Sequence, residues 1–254
     1  MQRRKSIEVA AVAVGVVAMA AGVFAQAPAG RGAAPAAPQG QAQGEGRGRG
    51  AAPAAAAPAA PATVPALMFK EVWKQPPYTG TLNDENRRVT QAAVTNPQLE
   101  LKLYGAAVKE VGVYEHEGRF DLWTGMSTSP VALMLRDRGN LIDLTGLARL
   151  RATVRTQSLH LLYPALKLAD GTYVAGSRGV NTEGNFIHTE VAFNGQRWFK
   201  LDPEKLVTTV EVMNPDLSKV DEVGFVDLMP SGGHGNAGWA NVSTVELYAK
   251  PVKR

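Results

Sequence analysis

The 254-residue chain has no cysteine, so no disulfide stabilises it and no lipidated cysteine can anchor it. An oxidising compartment permits disulfides without requiring them. A folded part of about 190 residues can do without them, since burial on folding reaches roughly 70% of the chain's surface at that size. The chain also lacks a charged folded region. Of its 27 basic and 23 acidic residues, the first 25 positions take three and one, and positions 26 to 65 take three and one. Ala66 to Arg254 therefore carries 21 of each and is neutral. Nucleic-acid binders draw most of their affinity from positive charge set against phosphate, so nucleic acid is excluded as the expected partner. A long hydrophobic run is missing as well. The apolar stretch Val9 to Phe24 is about sixteen residues, short of the roughly 20 that a spanning helix needs.

That stretch follows Arg3, Arg4 and Lys5 and closes on Val23-Phe24-Ala25. Cations, apolar run and small-residue end, in that order, make a secretory signal. The expectation is a removable leader over residues 1 to 25, a secreted or periplasmic product and no membrane span after cleavage. Residues 26 to 65 hold no leucine, isoleucine or aromatic and are mostly Ala, Pro, Gly and Gln. Such a segment cannot bury enough apolar surface to offset its ordering entropy, and is expected to be disordered. It reads equally as a spacer and as a tolerated low-complexity tail.

From Leu67 the pattern changes. Phe69 to Trp73 has the spacing of a helix-like turn, and residues 83 to 96 read as a polar loop or short helix. Period-two alternation then dominates. Leu99, Leu101 and Leu103 oppose Glu100, Lys102 and Tyr104; Leu150, Ala152 and Val154 oppose Arg149, Arg151 and Arg155. Apolar runs at 131–136, 161–168, 207–212, 223–228 and 242–248 are separated by turn residues such as Asp170-Gly171 and Asn194-Gly195. Roughly ten short strands without a helical period imply an all-β fold, a β-sandwich over residues 66 to 254. Trp73 and Trp198 are assigned to its core.

The order Leu141-Ile-Asp-Leu-Thr-Gly, Gly195-Gln-Arg-Trp, Asp216-Leu-Ser-Lys-Val, Val223-Gly-Phe and Gly238-Trp-Ala-Asn-Val-Ser resembles the galactose-binding-like jelly-roll domains. It is similar to family 11 carbohydrate-binding modules and to the domains of complex I intermediate-associated proteins. The resemblance covers about residues 99 to 250 and implies a jelly roll that binds a polysaccharide or other glycan on one sheet face, with no cofactor beyond a structural calcium ion. Where it implies an aspartate near the final strand for that calcium, this chain reads Ala240-Asn241-Val242-Ser243, with no aspartate.

The residues give their own candidates. Glu115, His116 and Glu117 are either a metal or acid/base cluster or a polar turn before Gly118. His188 and Glu190 share one strand face, but no second carboxylate with the gap a glycosidase needs stands beside Glu190. No nucleophile-elbow sequence surrounds Ser127 or Ser129, and the four histidines are too scattered for the three or four close ligands of a zinc site. The polar strand faces offer Arg151, Arg155, Tyr163, Lys167, His188 and Glu190, whose rigid donors and aromatic ring suit sugar hydroxyls. A glycine-rich loop from Pro230 presents His234 and Trp239, unless Trp239 plugs the sandwich edge. The leading expectation is a non-catalytic carbohydrate-binding-like module. A glycan-active hydrolase using Glu190 or Glu117, and an envelope protein that binds another protein, stay open.

Overall fold

The computed structural model describes residues 63–125, 129–157, 160–228, the backbone of Trp239, and residues 240–254. The leader over 1 to 25, the low-complexity segment as far as residue 62, Ser127 and His234 lie outside the described residues.

In chain order the strands are β1 (Leu67–Val72), β2 (Leu99–Tyr104), β3 (Gly112–His116), β4 (Arg119–Trp123), β5 (Val131–Asp137), β6 (Asn140–Asp143), β7 (Arg149–Gln157), β8 (Leu162–Leu168), β9 (Tyr173–Gly176), β10 (Ile187–Ala192), β11 (Trp198–Leu201), β12 (Thr208–Val212), β13 (Val220–Asp227), β14 (Trp239–Tyr248) and β15 (Lys250–Lys253). They form two antiparallel sheets, a jelly-roll β-sandwich. One sheet has six strands in the order β10-β7-β14-β4-β3, with β1 also paired to β14. The other has nine, in the order β12-β11-β9-β8-β13-β5-β2, with β6 joining β13 to β15. Among the described residues, no helix is long and apolar enough to cross a membrane.

Alternation decides what each sheet buries. Leu150, Val154, Val245 and Leu247 from the six-stranded sheet meet Leu99, Leu133, Leu135, Leu166, Val223 and Phe225 from the nine-stranded sheet in one core. Trp73 and Trp198 are buried in it as expected, and the Trp73 indole N–H donates to the Val242 carbonyl at 2.7 Å. A second apolar cluster, Ala132, Met134, Ala165, Ala175, Leu201, Leu206 and Val226, lies apart from that core. By strand parity most of it belongs to the opposite face of the nine-stranded sheet.

The helix-like turn expected at Phe69 to Trp73 is instead strand β1 running into a bridge at Trp73. Phe69, Glu71 and Trp73 all point inward and are buried. Glu71 is tolerated there because its carboxylate accepts the backbone N–H groups of Thr95 and Asn96 at 2.6 and 3.0 Å. Its acidic side chain hides the alternation in the sequence. The polar Glu115 to Gly118 stretch is a hairpin tip: β3 and β4 pair up to His116 and Arg119, and the two-residue loop Glu117-Gly118 has φ of 53° and 73°. Two positive φ values are what a tight primed turn demands.

Candidate functional site

The expected polar face divides in two. Arg151 and Arg155 lie on β7, and His188 and Glu190 on β10, all outward on the six-stranded sheet. Tyr163 and Lys167 lie on β8, outward on the nine-stranded sheet. The outward parity is as read, but β7 and β8, consecutive in the chain, belong to different sheets. These six residues therefore cannot form one surface, which corrects the single Arg-and-Tyr face. Trp239 pairs with Gln157 through its backbone, and its side chain lies outside the described residues.

The six-stranded face is locked by ion pairs. Glu190 accepts from Arg149 at 3.2 Å and Arg151 at 2.7 Å, while Lys70 meets Glu246 at 2.8 Å. Both arginines also lie over the Tyr248 ring, at 5.4 and 5.0 Å from its centroid. Between the charged walls is a depression of about 530 Å³ that includes Thr153, His188 and Thr244 in its lining. Hydrogen bonding from Arg151, helped by Arg149, holds the Glu190 carboxyl below its ordinary range. A general acid at neutral pH needs the opposite shift. Glu117 fits no better, since it is exposed on the hairpin tip with only Arg119 at 4.0 Å.

On the same sheet Asp121 is fully buried. It holds the His116 ring nitrogen at 2.8 Å and accepts from the Asn241 amide, whose oxygen accepts from Arg155 at 3.3 Å. Burial pushes the Asp121 carboxyl up, although Asn241 and His116 pull the other way. Asn241, in the stretch where the resemblance implies a calcium-binding aspartate, thus commits its amide to a carboxylate. Among the described residues no group of three or more His, Cys, Asp or Glu is placed to hold a metal. These side chains do not fit a calcium ion.

The nine-stranded face is built differently. A continuous polar chain crosses it: Lys102 to Glu100 at 2.6 Å, Glu100 to Arg136 at 3.2 Å, and Arg136 to Asp221 at 3.0 Å. It continues from Asp221 to Lys167 at 3.2 Å and from Lys167 to Glu222 at 3.2 Å. Arg254 adds a contact to Asp221 at 2.7 Å. From Glu222 the chain runs to the Tyr104 hydroxyl at 2.8 Å, and from Tyr104 to the Tyr173 hydroxyl at 3.1 Å. Burial alone would lower the Lys167 ammonium, but Glu222 and Asp221 more than reverse it. Burial, then Tyr173 and Glu222, raise the Tyr104 phenol far above its ordinary range.

The tyrosine contact also measures the shape of the sheet. Tyr104 is on β2 and Tyr173 on β9, four strand steps apart in the order β9-β8-β13-β5-β2. On a flat sheet those steps span about 19 Å, more than two tyrosine side chains can bridge. Yet the rings pack edge to face with centroids 5.3 Å apart. The sheet must curve toward this face. Tyr104, Tyr163 and Tyr173 are half-buried along it and pack against the second apolar cluster.

Sequence reasoning named Tyr163 and Lys167, though with Arg151 and Arg155 on one face, and missed Tyr104, Tyr173, Glu222, Asp221 and Arg136 as site residues. A usable signal was present: Asp221 and Glu222 are adjacent carboxylates at the start of β13, ahead of the apolar run Val223 to Val226, and Tyr104 has the outward parity of β2.

No family model matches the chain, and no curated protein matches it. Solved structures that it is similar to include the one titled "Structure of PfGH50B" (11% identity, TM-score 0.38, 61% of this chain and 23% of that one). Another is the agarase AgWH50C (10% identity, TM-score 0.39, 61% and 24%). A third is the family 11 carbohydrate-binding module from Clostridium thermocellum, solved with a β-1,3-1,4-mixed-linked tetrasaccharide (11% identity, TM-score 0.37, 73% and 98%). The chain spans about a quarter of the length of the first two.

Proposed function

We propose that the domain binds a polysaccharide on the curved face of the nine-stranded sheet, without turnover, and that the chain is exported by cleavage after Ala25. The observation that carries this reading is the tyrosine set. Half-buried phenol rings beside fixed polar groups are the elements that hold a sugar, the ring covering its apolar face and the polar groups fixing its hydroxyls. Tyr104 and Tyr173 are oriented by Glu222 and Lys167 before any ligand arrives, so little ordering cost remains. On an open face the affinity should be modest, on the order of micromolar to millimolar. The Glu190 carboxylate, neutralised by two arginines, is a poor acid or base and gives the hydrolase reading little support.

A glycan array run beside a reducing-end assay tests this. Tyr163→Ala and Tyr173→Ala should abolish glycan retention, and Arg151→Ala, on the other sheet, should not. Loss with Arg151→Ala alone would move the site to the six-stranded face. Release of reducing ends that disappears in Glu190→Gln would replace binding with hydrolysis. The mass of the exported protein should correspond to a chain beginning at Gln26.

A further inference from the structure

The polar chain on the curved face has a direction, fixed by which groups can donate. Lys167 Nζ only donates, and it lies 3.2 Å from Glu222 Oε1. The other oxygen, Oε2, is 2.8 Å from the Tyr104 hydroxyl. A carboxylate only accepts, so the single proton of Tyr104 goes to Glu222. Tyr104 can then offer its neighbour only lone pairs, and Tyr173 must donate its own proton to Tyr104 across 3.1 Å. Both phenol protons are committed inward. What Tyr173 has left to offer a ligand is a lone pair.

We infer that the Tyr104–Tyr173 end of this face is an acceptor-only subsite, which takes a sugar through its hydroxyl or amino donors and turns away a carboxylate or sulfate at that position. This rests on the reading that the face binds glycan. An anionic group at the subsite meets phenol lone pairs with no proton to satisfy it, and an unpaired acceptor in a half-buried site is costly. Glu222, fully buried behind the pair and matched by Lys167, has no proton to offer an anion. The cations of the polar row are each bound to a carboxylate: Lys102 to Glu100, Arg136 to Glu100 and Asp221, Lys167 to Asp221 and Glu222, and Arg254 to Asp221. Tyr163 stands four residues from Lys167 along β8, about 13 Å, and belongs to the other end of the face.

One substitution should reverse the chain. In Glu222→Gln the donor-only Lys167 holds the amide oxygen at the Oε1 position, which leaves the NH₂ group facing Tyr104. Tyr104 then accepts from the amide and donates to Tyr173, and the Tyr173 proton is free for a ligand. The probes are a neutral glucan oligosaccharide, a glucosamine oligomer and a uronate oligomer of equal length, titrated calorimetrically into the full chain. The wild type should bind the neutral and amino sugars about tenfold more tightly than the uronate, one unmatched polar contact being worth that much. Glu222→Gln should bring the ratio close to one. Tyr104→Phe, which keeps the ring and cuts the chain, should also free the Tyr173 proton and raise uronate binding. Uronate binding equal to neutral binding in the wild type, or an unchanged ratio in both variants, overturns the inference while leaving the glycan reading in place. Failure of the wild type to bind any of the three oligomers refutes the glycan reading itself, and the inference with it.

Discussion

Replacing Gly224 with alanine tests the close approach of β13 and β5 in the nine-stranded sheet. Gly224 sits inside β13, in register with Met134 of β5 and Ala165 of β8, and so is held on both sides. A Cβ there would lie 2.0 Å from the Leu133 carbonyl oxygen, 2.7 Å from the Met134 Cα and 2.9 Å from the Leu133 carbonyl carbon. All three atoms are backbone, so no rotamer relieves the overlap. One strand must move by about an ångström to restore ordinary contact. Overpacking of this kind costs about 1–3 kcal/mol, and each ladder hydrogen bond stretched by the shift costs about 1 kcal/mol more. The lower entropy of the unfolded alanine chain offsets about 0.4–1 kcal/mol. A net loss of about 3 kcal/mol should lower the melting temperature by about 6–12 °C in a domain of this size. Gly118→Ala is the control: its φ is 73°, yet nothing lies within 4 Å of the added carbon, so it should cost only the left-handed penalty of about 1–2 kcal/mol. Thermal and urea unfolding of the two variants side by side measure the difference. If Gly224→Ala is no less stable than Gly118→Ala, the close approach of β13 and β5 is wrong.

Asp221 offers a pH test. Although burial works against it, Arg136, Arg254 and Lys167 hold its carboxyl below the ordinary aspartate value of 3.8. Its contribution should therefore be complete above that value and lost as the pH falls below it. Asp221→Asn should lose about 2 kcal/mol at neutral pH, and its melting curve should converge with that of the wild type in acid; a constant gap down to low pH would contradict this. Trp198→Ala, which empties a site only 2% exposed and stacked on Phe193, should cost about 3–5 kcal/mol by urea titration, and a smaller loss would mean the core closes over the gap. Removing residues 26 to 65 should leave the melting temperature in place, and a drop of several degrees would show that the segment packs on the domain. EDTA should likewise leave calorimetric melting unaltered, whereas a large loss would reveal a metal that the Asp121–Asn241 pair was argued not to hold.

Strand parity was legible in the sequence, while strand partnership was not. Leu99, Leu101 and Leu103 face the core because alternation is local, and the same logic turns Arg151 and Tyr163 outward. In a jelly roll the chain crosses between sheets, so consecutive strands such as β7 and β8 can face opposite sides. No local pattern records that crossing. β13 shows a second limit: all eight of its residues are buried, because the core covers one face and the tyrosine-capped cluster the other, so burial does not alternate. β6 and β15 escaped for a simpler reason. They are four residues each, and Pro251 in β15 reads as a breaker, although an edge strand tolerates proline. At Glu71 the obstacle was a buried carboxylate, whose acceptance of the Thr95 and Asn96 N–H groups involves a segment more than twenty residues away.

The two faces spend their charges differently, and that difference favours the nine-stranded face for the proposed ligand. Half-buried ion pairs contribute little to stability, because desolvation offsets most of the attraction, and apolar residues of similar volume often do as well. The fold alone therefore gives no reason for the row from Lys102 to Glu222. On the six-stranded sheet the pairs close on themselves: Glu190 is taken by Arg149 and Arg151, and Glu246 by Lys70 and the Tyr248 hydroxyl. On the nine-stranded sheet the row runs through Glu222 into two phenols and stops at a half-buried Tyr173. A network that ends on an outward-facing acceptor has fixed the orientation of that acceptor and of the ring behind it. Such advance ordering lowers the entropic cost of holding a ligand, and here it is directed at the curved, tyrosine-bearing side of the sandwich.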